Sequence, residues 1–226
     1  TAEVKNTAAA TSGVSLGGVV GRIQAKENGD NTISDCDNTG AVTFAATSVK
    51  DQAMMSGIGG IVGVHAGPVY GSGDNRYHKS AKVTISGCNN TGAVTKNGAG
   101  SYNFAVGGIA GLMNGVLESG KSYSLVSNVT SCTNGENGKS TGAVLNASSG
   151  TGYPVYAGGI VGYLVDGELK DCTNDGNVRG YRYVSGICGF KKSTSTITNC
   201  RNESEDAAIV SGTYTSGTES DFANIG

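Results

Sequence analysis

The chain has 226 residues, a formal net charge of −2, 15% charged side chains, 38 glycines, 2 prolines, 6 cysteines and no tryptophan. A charge so small excludes the basic footprint of a nucleic-acid binder and the acidic run of a disordered tail, and so little proline excludes collagen and Pro/Gly linkers. No apolar run approaches the roughly 18 to 20 residues that a membrane-spanning helix needs.

Thr1-Ala2-Glu3-Val4-Lys5 lacks the basic start and apolar stretch of a secretory signal. Residues 1 to 16 read instead as the tail of a repeat unit, with a Val4 phrase and a polar spacer. At Gly17-Gly18-Val19-Val20-Gly21 a phrase begins that recurs at Gly59 to Gly63, Gly107 to Gly111, Gly158 to Gly162 and Ser185 to Gly189. Each copy leads to an aliphatic residue, then a cysteine, then an asparagine two further on: Cys36 and Asn38, Cys88 and Asn90, Cys132 and Asn134, Cys172 and Asn174, Cys200 and Asn202. A third phrase follows at Ala41-Val42, Ala93-Val94, Ala143-Val144, Asn177-Val178 and Ala208-Ile209.

Repetition of this kind marks one elongated repeat domain. We read residues 1–226 as a single solenoid, with units near 17–58, 59–106, 107–157, 158–184 and 185–226. Successive double glycines lie 42, 48, 51 and 27 residues apart, so the last interval is the bare unit. Insertions fall between the glycine and cysteine phrases (64–84, 112–128) and before the next glycine phrase (44–57, 95–105, 145–156). The chain begins and ends inside a unit, which suggests a piece of a longer exported protein with flanking domains.

Each phrase is too short for a helix and rich in β-branched residues, so each predicts a strand, three per unit. Units that cannot bury themselves alone stack in parallel. The predicted fold is all-β, a parallel β-helix of about five rungs with long inserted loops. Paired glycines allow close approach at the bend. The Asn after each Cys tolerates a left-handed turn, and its amide can bond the same amide one rung on.

Five cysteines at one position of the unit predict a buried ladder of reduced thiols, because stacked side chains point the same way and a disulfide needs a dihedral near ±90°. No C-x-x-C occurs, and the only histidines are His65 and His78, so no metal site is expected. A lone loop histidine is ordinarily solvated. Asp35, Asp37, Asp166, Glu168 and Asp171 are the carboxylates from which a glycosidase pair could be drawn, but their spacing singles out none. The strongest surface clue is aromatic: Tyr153, Tyr156, Tyr181 and Tyr183, with Tyr163 nearby, could stack on sugar rings or anchor a protein partner. The plainer reading packs them under inserted loops.

Gly60-Ile61-Val62-Gly63 and its copies, followed by I-x-x-C-x-N-x-G-x-V, resemble the GLUG motif repeats of bacterial surface and secreted proteins, over about residues 14–210. That family is associated with large adhesin-like proteins and with some secreted peptidases in which the repeats lie beside the catalytic unit. The resemblance implies a cell-surface or secreted location and a binding or spacer role, and it supplies no catalytic residue. Ser185 for the first glycine and Ser204 for the glycine after Asn202 depart from the pattern and mark the fifth unit as a degenerate cap.

The expected function is therefore a non-enzymatic, adhesin-like module that recognises a glycan or a host or microbial surface protein, without cofactor. A polysaccharide-active lyase or hydrolase is the alternative, because parallel β-helices also host such enzymes.

Overall fold

The computed structural model describes residues 2–7, 13–24, 30–46, 56–66, 80–97, 104–115, 124–137, 139, 141–146, 155–180 and 183–204. Among them the chain is all-β, and it winds through five turns. The first turn holds β1 (Val4–Asn6), β2 (Ser15–Gly17), β3 (Val20–Gln24), β4 (Asp30–Ser34) and β5 (Asp37–Asn38). The same series recurs four more times, and every strand pairs in parallel with its counterpart one turn on. The result is the expected parallel β-helix.

Each turn has five strands where the sequence predicts three. The glycine phrase is two strands joined by a two-residue bend, as at Gly60-Ile61 between Ser56–Gly59 and Val62–Ala66. The cysteine phrase is also two strands, and the residue before each Cys makes the corner. Asp35, Ser131, Asp171 and Asn199 sit there at φ 52 to 53°, and Gly87 at φ 60°. The left-handed turn thus falls three residues before the predicted asparagine, which lies in extended strand. A short residue at positive φ bends the chain at once before the cysteine, and the glycine bend takes only two residues, so each corner vanishes inside what reads as a single phrase.

The registers confirm the alignment of the repeats. Val4, Val42, Val94, Val144 and Val178 form one column, so the Val4 phrase is indeed equivalent to the later ones. The five asparagines form another. Asn38 Nδ2 donates to Asn90 Oδ1 at 2.7 Å, Asn90 to Asn134 at 2.8 Å, Asn134 to Asn174 at 2.7 Å and Asn174 to Asn202 at 2.8 Å. The second N–H of the first four amides goes to a glycine carbonyl in the same turn, Gly40, Gly92, Gly142 and Gly176. Both donors are thereby satisfied in a dry interior, where an unpaired one costs about 1 to 3 kcal/mol.

The ladder explains the double glycine. A methyl group on the second glycine of any copy would overlap the amide carbon of the asparagine in the same turn. The backbone bend is packed directly on the amide, and only glycine leaves that space.

Apolar columns fill the rest of the interior. One cluster holds Ile61, Ile109, Ile160 and Ile187 with Ile85, Val129 and the thiols; a second holds Val42, Val94, Val144, Ile58 and the tilted pair Phe44 and Phe104, 5.2 Å between ring centres. Each fully buried aliphatic side chain contributes about 1.5 to 3 kcal/mol. The isoleucine column ends at Val19 in the first turn, which is 45% exposed where its four successors are fully enclosed.

Candidate binding surface

The second glycine-phrase strand carries one outward position, directly after its last glycine. Arg22, Val64, Leu112, Tyr163 and Phe190 occupy it in successive turns. The preceding strand carries another, filled by Ser15, Gly57, Ala105, Tyr156 and Tyr183. Phe104 and Val106 face the interior, so Ala105 between them faces the other way. The two outward columns meet in a third cluster, at the corner where the strands join.

In the last two turns this corner is aromatic. Tyr156 is enclosed, 6% exposed, with its ring 4.7 Å from Tyr163, 5.0 Å from Tyr183 and 5.4 Å from Phe190 between centres. Tyr163 and Phe190 stack at 5.0 Å with planes 15° apart. Tyr163, Tyr183 and Phe190 remain half-buried. Burial pushes the Tyr156 and Tyr163 hydroxyls above their ordinary range. Tyr183 holds φ 47°, an unusual backbone for a bulky side chain and one that costs of order 1 to 3 kcal/mol.

Of the four tyrosines singled out in the sequence, Tyr156 and Tyr183 come together here, Tyr156 as the floor and Tyr183 at the surface. Tyr153 and Tyr181 lie outside the described residues. Tyr163 and Phe190 complete the cluster, and their shared position after the last glycine of the phrase was the signal for them.

His65 differs from its reading as a solvated loop residue. The strand Val62–Ala66 runs past it, so the insertion begins later, and the side chain is fully buried. Its Nδ1 lies 2.7 Å from Ser127 Oγ, its Nε2 has no hydrogen-bond partner, and burial lowers its pKa from 6.5 to about 4. Ser127 is also fully buried, so this pair has the spacing of a nucleophile and base but is enclosed in the interior. His78 lies outside the described residues. Lys96 is buried as well, 5.4 Å from the centre of the Phe104 ring, and desolvation lowers its pKa to about 8.

All six cysteines are free. Cys36, Cys88, Cys132, Cys172 and Cys200 each direct the thiol to the carbonyl two residues back, at 3.2 to 3.6 Å. Burial raises the pKa of Cys88 and takes that of Cys188 to about 12; the Cys132 thiol, hydrogen-bonded to Cys172, takes the latter to about 12. These thiols are packing groups rather than nucleophiles. Among the described residues no group of three or more His, Cys, Asp or Glu is placed to hold a metal. Asp35 and Asp171 share the corner column but stand three turns apart, about 14 Å at the spacing of parallel strands, beyond the separation of a glycosidase pair.

These features define a β-solenoid repeat protein with small-residue bends, an amide ladder and one aromatic outer corner. The family described as the GLUG motif matches residues 153–179, which span the fourth glycine phrase, Cys172, Asn174 and Val178. The chain therefore carries a GLUG motif at residues 153–179, and the same unit is repeated in register in the other turns. No curated protein and no solved structure matches the chain.

Proposed function

We propose that this chain is a non-enzymatic, adhesin-like binding module of a bacterial cell-surface or secreted protein, and that its aromatic corner engages a glycan. One observation carries the reading: three half-buried rings, Tyr163, Tyr183 and Phe190, are gathered over an enclosed fourth, with Tyr183 in a backbone conformation bulky residues avoid. Aromatic faces held rigidly at a surface lose little entropy on binding and suit the apolar faces of sugar rings. Strain retained at a surface residue is a recurrent mark of binding sites.

A glycan array tests this with the wild type and a Tyr163→Ala/Phe190→Ala variant whose circular dichroism is unchanged. Binding to a sugar class by the wild type alone supports the reading. Equal binding by both proteins, or capture of protein ligands and no sugar, rejects the aromatic corner as a glycan site.

A further inference from the structure

A second surface is independent of the aromatic corner. Insertions enter the solenoid at other edges, but the corner before each cysteine has the same length in all five turns: one residue at positive φ (Gly87 in the second turn), the Cys, then two strand residues. Every outward side chain there is polar or glycine, and none is buried. Neighbouring turns reach one another, as where Asn89 Nδ2 donates to Asp37 Oδ1 at 2.9 Å. On this face, between the fourth and fifth turns, lies an open depression of about 570 Å³ lined by Asp171, Thr173, Asn199, Cys200 and Arg201.

The lining selects a chemistry. Asp171 accepts, Arg201 donates, and Thr173 and Asn199 do both. The formal charges of Asp171 and Arg201 offset each other, so the lining favours neither an anion nor a cation strongly, and its wall is more polar than apolar, with Cys200 and the side-chain stems supplying the apolar part. Arg201 has one loose partner, Glu203 at 3.8 Å from Nη1, which leaves most of its N–H groups available. A neutral ligand with closely spaced hydroxyls fits this set. Because the same corner repeats every turn, at about 4.8 Å, the matching ligand is linear and repeats at a similar interval, as pyranose units do along a polysaccharide.

We infer that the cysteine-corner face binds a neutral linear glycan lying along the solenoid axis, with one sugar seated in the depression between Asp171 and Arg201. The site goes beyond the aromatic corner and does not require it.

The test is calorimetric titration with cello-, xylo-, manno- and chito-oligosaccharides of two to six units. At least one series is expected to bind with affinity rising with length, and binding is expected to be insensitive to salt because the ligand is uncharged. Arg201→Gln and Asp171→Asn, both at exposed positions and the latter tolerant of positive φ, are expected to weaken it by about tenfold each. Tyr163→Ala/Phe190→Ala is expected to leave it unchanged. The inference is overturned if no series binds, if length has no effect, or if the loss follows the aromatic variant instead. In that last case the aromatic corner stands and this face does not.

Discussion

Asn134 sits in the middle turn, receives a hydrogen bond from Asn90 and gives one to Asn174 and one to the Gly142 carbonyl. Asn134→Leu removes all three and strands polar atoms on both neighbours, so we expect a loss of about 3 kcal/mol, read as a lower urea midpoint at unchanged slope. Gly108→Ala places a methyl on the same amide and on the Gly159 carbonyl. Backbone must move to relieve it, and failure to accumulate as folded protein is the expected outcome. His65 adds a pH dependence. Its pKa in the folded chain, about 4, lies below the ordinary 6.5, so the folded state binds its proton less readily than the unfolded state. The neutral imidazole's contribution is full above pH 6.5 and is lost as the pH falls through 4, about 3 kcal/mol in all. Urea midpoints measured from pH 7.5 to 4 should fall steeply over that window in the wild type and more gently in His65→Leu; parallel curves would contradict the assignment.

At the scale of the element, the left-handed corner is the joint on which each turn depends. Ser131→Val forces a β-branched residue to φ 52° and is expected to cost about 1 to 2 kcal/mol, whereas Ser131→Gly should be neutral or slightly stabilising; thermal melts of the two variants distinguish the cases. This joint was hidden in the sequence because Asp, Gly, Ser and Asn all fill it, while the ladders were legible because stacking demands the same side chain at the same place. The asparagine column is the clear instance: its amide bonding followed from the repeat, and its backbone did not. The aromatic corner was half legible. Tyr156 and Tyr183 stood out as tyrosines close together in the chain, but the position shared by Tyr163 and Phe190 shows only when units are aligned by their last glycine. His65 was misplaced for a related reason, since the end of an edge-to-edge strand and the start of an insertion look alike in a polar context.

Across the whole molecule, burial grows from the first turn inward, and the thiols report it. Cys36 and Cys200, in the end turns, are partly exposed, and Cys88, Cys132, Cys172 and Cys188 are buried. A thiol reagent applied to the folded protein should label Cys36 and Cys200 slowly and the other four only on unfolding; peptide mapping that finds those four labelled first would refute the stacked interior. The amide column has a further property. Glycine carbonyls in the first four turns fix which side of the amide is nitrogen, and Asn202 accepts from Asn174, so the dipoles all point the same way. They add along the axis and polarise one another, as peptide dipoles do in a helix. The Asn38 end is therefore the negative pole and the Asn202 end the positive one, which sets a direction in which one solenoid can follow another.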